Sequence, residues 1–179
     1  HSYILKDMRA YGHFYPMTLA ESASTFGEMI LTEGILADAA VGAADKLSAL
    51  DSATAQGAVF LMDIPMRYEF EKAFHEERSD GEVEVSRLEE LMTQTQRRIF
   101  GDVLDEGGED PYFWASKLHF YITGVTFYNF PYTFGFLLSR GLFAEFKERG
   151  PGFLPHYEEF LRLSGSATSE QLARRILGC

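Results

Sequence analysis

The clearest helical pattern in the chain is the stretch MTLAESASTFGEMILTEGILADAA, which occupies residues 17–40. Its apolar residues recur at the three- and four-residue spacing that places them on one face of a helix. Thr18 stands where an N-cap is needed and Glu21 follows three residues later, which is the pattern of a capping box. The stretch predicts a helix, and it leaves open whether the Glu21 side chain caps that helix or serves as a ligand.

The rest of the chain has the same helical character. Helical spacing recurs in residues 44–77, where Pro65 predicts a kink or a break, and again in residues 83–100. Further helices are predicted at 132–149, 152–163 and 169–177, the last with Thr168 as its N-cap. Alternating strand patterns are nearly absent, so the predicted fold class is all-α.

Charge and cysteine content narrow the range of partners. The 179 residues include 27 acidic and 16 basic side chains, and the formal net charge of -11 has the wrong sign for binding nucleic-acid phosphates or an anionic membrane. The single cysteine, Cys179, can form neither a disulfide within the chain nor a cysteine-based metal cluster. We therefore expect no nucleic acid and no membrane as partners, and a reducing, cytoplasmic setting.

One apolar run, residues 118–139, is long enough to span a bilayer. Asn129, Pro131 and several threonines and tyrosines interrupt it, and their polar atoms would need partners inside hydrocarbon. We interpret this run as the buried, polar and aromatic wall of a site.

Two stretches have chemistry that is unusual for a helical protein. In the first, Glu21 and Glu28 are seven residues apart, so they share one helix face at a separation of about two turns, or ~10 Å. Small residues surround Glu21 and would let a second helix approach closely: Ala20, Ser22, Ala23 and Ser24. The alternative is that both glutamates face solvent.

The second stretch places an imidazole and several phenols in an apolar run: His119, Tyr121, Tyr128 and Tyr132. In a cleft with little water, their N–H and O–H groups can donate to a carbonyl oxygen that gains negative charge during acyl transfer. The alternative is that these rings belong to the core, where His119 would be hydrogen-bonded.

Four segments carry a combined pattern: HSYILKD, YPMTLAESASTFGEMIL, WASKLHFY and FYNFPYTFGF. Together they resemble the oligoendopeptidase F and thimet oligopeptidase family of zinc peptidases, in the order in which the family has them and over nearly the whole chain. The resemblance implies a zinc-dependent metalloendopeptidase that hydrolyses short peptides. Residues 1–179 would be a single fragment, the helical C-terminal portion of a zincin-like catalytic domain.

On the metal side, the resemblance implies that Glu21 is the third zinc ligand. Glu28 matches a second family glutamate that would fix a ligand imidazole, and His1 matches a histidine that follows the metal-binding signature. That signature, His-Glu-x-x-His, supplies two zinc ligands and the glutamate that activates water, and it does not occur in these residues. We expect it upstream of His1, so the chain alone is expected to be inactive and to bind zinc weakly.

On the substrate side, the resemblance implies that His119 contacts the peptide backbone near the scissile bond and that Tyr128 or Tyr132 stabilises the oxyanion. The partners would be an oligopeptide substrate and the remainder of the peptidase chain. A competing hypothesis is a non-catalytic, all-helical interaction domain. The coding sequence before His1 distinguishes the two, since a His-Glu-x-x-His segment favours the peptidase and an initiator Met directly there favours the interaction domain.

Overall fold

The computed structural model describes residues 1–178, and these residues contain helices and no β-strand. The α-helices are α1 (Ser2–Leu5), α2 (Ser22–Ala37), α3 (Ala43–Ala58), α4 (Ile64–Arg78), α5 (Val85–Phe100), α6 (Phe113–Ser116), α7 (Phe130–Arg149), α8 (Leu154–Leu163) and α9 (Ser169–Leu177). The all-α prediction is confirmed. Cys179, on which the disulfide argument depends, lies outside the described residues.

The chain forms two compact units. The first combines residues 1–54 with the described residues from 134 onward, and the second consists of residues 55–133. Helices α3 and α7 each have residues in both units. The assignment of residues 1–179 to a single catalytic-domain fragment stays a prediction.

The core of the first unit is built around Phe26 of α2. Its ring stacks on Tyr157 of α8 with 4.1 Å between the ring centroids, and both rings lie in the apolar interior of the unit. Burial raises the pKa of the Tyr157 phenol to about 12, because the phenolate would lose its hydration there. The other buried members of this core are Leu19, Leu142, Phe153, Phe160, Leu161, Leu172 and Ile176.

Helix α9 begins where the sequence predicts. The Thr168 hydroxyl oxygen accepts a hydrogen bond from the Gln171 backbone N–H at 3.3 Å, and the Gln171 side chain accepts one from the Thr168 N–H at 3.0 Å. This is a complete capping box, and it satisfies two N–H groups that the first helical turn leaves without partners. The predicted N-cap is therefore confirmed.

Helix α2 begins later than its sequence pattern predicts. Residues Met17–Leu19 form a 3-10 turn, and α2 starts at Ser22 with Glu21 as its N-cap residue. The capping box predicted for Thr18 and Glu21 is wrong, since Glu21 makes no side-chain capping bond and the Thr18 hydroxyl donates to the Ser169 hydroxyl at 3.4 Å. The turn delivers Leu19 into the core, where it is fully buried.

The second unit is organised by α4 and α5, whose apolar faces meet at Met66, Phe70, Leu91 and Met92. None of the helices in residues 1–178 combines the length and the apolar character of a bilayer-spanning helix.

A π-helical turn, Val59–Asp63, joins α3 to α4. The Ile64 N–H donates to the Val59 carbonyl, five residues back. In this register the Phe60 carbonyl would accept from residue 65, but Pro65 has no N–H. The irregularity predicted near Pro65 is therefore present, as a widened turn that comes before the proline.

Candidate functional site

Glu21 lies half-buried at the start of α2, in the first unit. The Ser24 hydroxyl donates to the Oε2 atom of its carboxylate at 3.0 Å and thereby restricts the side chain. Glu28 lies in α2 seven residues later, and its side chain is exposed. Glu21 is the N-cap residue of α2 and Glu28 lies within that helix, and a common face for the two side chains stays a prediction.

Gly135 of α7 allows that helix to touch the backbone of Glu21. A Cβ atom built on Gly135 would lie 3.0 Å from the Glu21 Cβ, and 3.1 Å from both the Glu21 carbonyl carbon and the Ser22 nitrogen. These contacts are tighter than side chains ordinarily make, so a Cβ atom here would require the Glu21 and Ser22 backbone to shift by a few tenths of an ångström. The close helix approach expected from the small residues around Glu21 is therefore present, and α7 is the helix that makes it.

A buried hydroxyl pair continues this contact one turn further along. The Thr25 hydroxyl of α2 lies 2.7 Å from the Ser139 hydroxyl of α7, and Ser139 in turn donates to the Phe136 carbonyl at 2.9 Å. Both hydroxyls are buried, so each must find its partner within the protein. The polar pair and Gly135 together fix how α2 and α7 meet beside Glu21.

His1 also belongs to the first unit. Its ring stacks on Tyr15 at 4.2 Å between centroids. The Nε2 atom of His1 is buried and has no hydrogen-bond partner among the described residues. Such an atom is chemically suited to accept or donate one hydrogen bond, depending on the tautomer.

The second unit brings the three substrate-side candidates into one aromatic cluster. The His119 Nε2 atom and the Tyr132 hydroxyl lie 3.2 Å apart, which is hydrogen-bond distance. The Tyr128 ring stands parallel to His119, with 6.3 Å between the centroids, and meets Tyr132 edge to face at 5.9 Å. The two tyrosines and the histidine are therefore neighbours, as the sequence interpretation requires.

Phe60, in the π-helical turn, packs against the ring of Tyr132. The Phe60 ring is nearly parallel to the Tyr132 ring, with 6.3 Å between the centroids. The Thr133 hydroxyl donates at 2.5 Å to the Phe60 carbonyl, the acceptor that Pro65 cannot satisfy in the π register. This bond anchors the residue next to Tyr132.

Glu71 is a buried carboxylate that the sequence analysis did not single out. It lies on α4, only 4% of its surface is exposed, and it holds the segment that leads into the aromatic cluster. Its Oε1 atom accepts the Phe127 backbone N–H at 2.7 Å, and its Oε2 atom accepts the Asn129 side-chain N–H at 3.1 Å. A buried carboxylate is costly unless donors satisfy it, and here each oxygen has one.

A signal for Glu71 exists in the sequence. Ile64 and Phe70 lie on the buried side of α4, and position 71 falls on the same side because it is seven residues after Ile64 and one after Phe70. A carboxylate on the buried face of a helix indicates a specific partner. That partner, the Phe127–Asn129 segment, is far away in sequence and could not be identified from periodicity.

Comparison with known proteins decides the family. All residues, 1–179, match Peptidase family M3. The chain belongs to this family.

The relatives of this M3 chain are oligoendopeptidases by name. It is 31% identical over 156 residues to an oligoendopeptidase F homolog of Lactococcus lactis subsp. lactis (strain IL1403). The aligned residues make up 86% of the chain and 25% of that protein. The chromosomal oligoendopeptidase F of Lactococcus lactis subsp. cremoris is 30% identical over 156 residues, with the same coverage. The plasmid oligoendopeptidase F of that subspecies is 31% identical over 160 residues, which cover 88% of the chain and 26% of that protein.

The M3 chain thus spans about a quarter of the length of the curated relatives it matches. No solved structure shows significant similarity to it. The family predicted from the four sequence segments is confirmed. The roles of individual residues, and a common groove for Glu21 and His119, stay predictions.

Proposed function

We propose that this M3 chain forms part of a zinc-dependent metalloendopeptidase that hydrolyses short peptides. The observation that carries the proposal is the cluster of His119, Tyr128 and Tyr132, a set of donors assembled in a chain of a peptidase family. The relatives are named oligoendopeptidase F, which supports a short peptide as the substrate class.

The cluster supplies donors to the reacting carbonyl group. When a nucleophile adds to a peptide carbonyl, its oxygen gains negative charge, and pre-positioned N–H and O–H groups stabilise that charge most. The imidazole of His119 holds the Tyr132 hydroxyl at 3.2 Å, so the phenol needs little reorganisation when the charge develops. In this proposal one tyrosine donates to the oxyanion, and His119 orients the peptide backbone.

Glu21 would bind the metal from the first unit. The described part of the chain contains no group of three His, Cys, Asp or Glu side chains that could hold a metal ion. A half-buried carboxylate restricted by Ser24 suits one zinc ligand, and the other ligands and the general base would come from a His-Glu-x-x-His segment upstream. Zinc, when bound, would supply a Lewis acid that polarises the scissile carbonyl.

Two further residues would support the metal ligands without binding zinc. The Nε2 atom of His1 is buried without a partner in residues 1–178, so a group from the remainder of the peptidase is the natural partner for it. Glu28 is exposed on α2 and, as a carboxylate, would accept a hydrogen bond from a ligand imidazole. These are the roles we propose for them.

The setting follows from composition. A single cysteine suits a reducing compartment, and we propose a cytoplasmic location. The formal charge of -11 argues against nucleic acid and anionic membranes, which leaves the oligopeptide and the remainder of the peptidase as partners.

The test compares the 179-residue chain with a longer protein that includes the upstream segment. We expect the longer protein to contain zinc and to cleave a peptide of bradykinin size in a chelator-sensitive way, and the shorter chain to do neither. Glu21→Gln in the longer protein should abolish zinc retention, because a neutral amide is a poor zinc ligand. Glu76→Gln, an exposed glutamate of α4, is the control and should retain zinc.

Two results would contradict the proposal. Chelator-sensitive hydrolysis by the 179-residue chain alone would show that it needs no upstream ligands. A longer protein that is folded but shows neither zinc nor hydrolysis would favour the helical interaction domain instead.

A further inference from the structure

The segment between His119 and Tyr132 is tied to α4 by one side chain. Both oxygens of the Glu71 carboxylate accept hydrogen bonds from it, one from the Phe127 backbone N–H at 2.7 Å and one from the Asn129 side chain at 3.1 Å. Glu71 and Asn129 are both buried, with 4% and 0% of their surfaces exposed. Water therefore cannot readily replace these bonds if the carboxylate is lost.

The backbone at Phe127 needs such support. Its φ angle of 59° is the only positive φ of a non-glycine residue in the described part of the chain. For a residue with a bulky side chain this conformation is strained and persists only where its surroundings enforce it. The charge-assisted bond from the Phe127 N–H to Glu71 is a direct way of enforcing it.

Tyr128 lies between the two anchored residues. The bonds to Glu71 hold its neighbours on both sides, Phe127 and Asn129, so the direction of the Tyr128 side chain is set by them. That side chain stands parallel to His119 at 6.3 Å and edge to face with Tyr132 at 5.9 Å. The buried carboxylate thus determines the geometry of the aromatic cluster without belonging to it.

The segment has room to move if the bonds are lost. A cavity of about 230 Å³ lies beside it, with a wall of mainly apolar side chains that includes Phe70, Phe120, Ile122 and Val125 as well as Glu71. Removing the carboxylate would leave the Phe127 and Asn129 donors without these acceptors, beside a cavity that Val125 and Thr126 of the same segment line. The segment would then relax, and Tyr128 would leave its position beside His119.

We infer that Glu71 is a positioning residue, which holds Phe127 and Asn129 so that Tyr128 stays in register with His119 and Tyr132. The inference rests on the proposed function, since it assigns the aromatic cluster to the reaction. It adds a residue on α4 that contacts neither the substrate nor the metal.

Two substitutions at this position separate charge from geometry, and both are tested in the longer, active protein. Glu71→Ala removes both acceptors, and we expect kcat to fall by up to about 100-fold with little change in KM, as for a small displacement of a catalytic group. Glu71→Gln keeps an acceptor for the Phe127 N–H. Its amide N–H can donate to the Asn129 Oδ1 atom, which has no partner among the described residues, after a flip of the Asn129 amide. We therefore expect Glu71→Gln to stay within about threefold of the parent kcat.

Substitutions at Asn129 test the same Glu71–Asn129 contact. Asn129→Asp sets a second carboxylate against Glu71 and should lower kcat as Glu71→Ala does, because like charges in a buried site repel. The double variant Glu71→Gln with Asn129→Asp restores a donor and an acceptor and should recover most of kcat. Glu76→Ala, on the exposed face of α4, is the matched control and should change nothing.

Hydrogen exchange at the Phe127 amide reports on the segment independently of catalysis. We expect faster exchange in Glu71→Ala and Asn129→Asp, and near-parent exchange in Glu71→Gln and in the double variant. Unchanged exchange and kcat in Glu71→Ala, or a double variant that recovers neither, would overturn the inference. If exchange accelerates but Tyr128→Phe, Tyr132→Phe and their double variant keep full activity, the role proposed for the tyrosines fails and the hold of Glu71 on the segment remains.

Discussion

The two units of the chain position their candidate residues by opposite means. Beside Glu21, α2 and α7 meet through small residues, and an added carbon atom at Gly135 would fit only if the neighbouring backbone shifted. Around Tyr128, a buried carboxylate and three aromatic rings hold a loop whose backbone is strained at Phe127. The helix contact beside Glu21 depends on the absence of a side chain at Gly135. The aromatic cluster depends on the hydrogen-bonding atoms of polar side chains.

This difference predicts which kind of substitution disrupts each region. Close packing in the first unit should be disrupted by adding atoms, with loss of stability and displacement of Glu21. The aromatic cluster of the second unit should be disrupted by removing a phenol hydroxyl, with loss of activity and little loss of stability. The following substitutions examine that contrast.

The largest effect is expected from the phenols of the second unit, in the longer protein. Tyr132→Phe removes one hydroxyl and keeps the ring against Phe60, so the fold should survive. If the phenol donates to the oxyanion, kcat should fall on the order of 100-fold to 1000-fold while KM changes little. We expect Tyr132 to show the larger effect and Tyr128→Phe the smaller, because the Tyr132 hydroxyl is the one at 3.2 Å from His119.

Tyr121→Phe is the control for this pair. Its hydroxyl donates to the Trp114 carbonyl at 3.1 Å, so it lies in the same segment with a structural partner. Its kcat should stay close to that of the parent. Full activity in Tyr128→Phe, in Tyr132→Phe and in the double variant, with zinc retained, would leave His119 as the remaining donor.

The next effect is expected at the helix contact of the first unit. Gly135→Ala places a Cβ atom against the Glu21 and Ser22 backbone, which cannot move as freely as a side-chain tip. We expect a loss of about 1 to 3 kcal/mol in the free energy of unfolding, measured by denaturant titration, together with weaker zinc retention in the longer protein.

Gly27→Ala provides the matched control for that substitution. Gly27 lies in the middle of α2, and a Cβ built there meets nothing within 4 Å. Alanine favours helix over glycine by up to about 1 kcal/mol, so this variant should be as stable as the parent or more so. Equal stability of Gly135→Ala and Gly27→Ala would mean that the close contact is not what positions Glu21.

Periodicity and capping rules predicted much of the fold. The α9 helix and its Thr168 cap were predicted to the residue, because all the determinants are local. The Thr18 cap was wrong because its hydroxyl finds a partner at Ser169, 151 positions away, and no local rule contains that contact. The sequence indicated an irregularity near Pro65 but not that it takes the form of a π-helical turn at Val59–Asp63.

The sequence likewise predicted some parts of the candidate site and not others. Residues of the aromatic run were identifiable because polar rings in an apolar stretch are visible in the sequence. The small residues around Glu21 predicted a close helix approach, but not that Gly135 of α7 makes it. Glu71 was missed because its significance lies in its bonds to Phe127 and Asn129, 56 and 58 positions later.

A smaller effect should follow from the hydroxyl pair in the first unit. Thr25→Val keeps the shape of the side chain and removes the contact to Ser139 at 2.7 Å. Ser139 still donates to the Phe136 carbonyl, so no buried donor is orphaned. We expect a loss of about 0.5 to 1.5 kcal/mol in the free energy of unfolding, measured by denaturant titration. A loss as large as that of Gly135→Ala would show that the polar pair, rather than close packing, holds the helices together.

The smallest effect concerns a phenol that packs rather than donates. Burial raises the pKa of Tyr157 to about 12 from its ordinary value of 10.0, so folding favours its neutral form. Its contribution is therefore fully present below pH 10 and is lost as the pH rises toward about 12. Tyr157→Phe should leave stability at neutral pH nearly unchanged and reduce its decline across that alkaline range. The absorbance of the phenolate should show one fewer late-titrating tyrosine in the variant.

The π-helical turn at Val59–Asp63 has a consequence for how related sequences are aligned. A π turn holds one more residue than the α-helical path it replaces, and each residue rotates the helix by about 100°. A relative that lacks the π-helical turn should therefore show a one-residue gap here. Such a relative need not have a proline at the position that aligns with Pro65. We expect deletion of a single residue from this turn to convert it to regular α-helix. Phe60 would then rotate away from the ring of Tyr132.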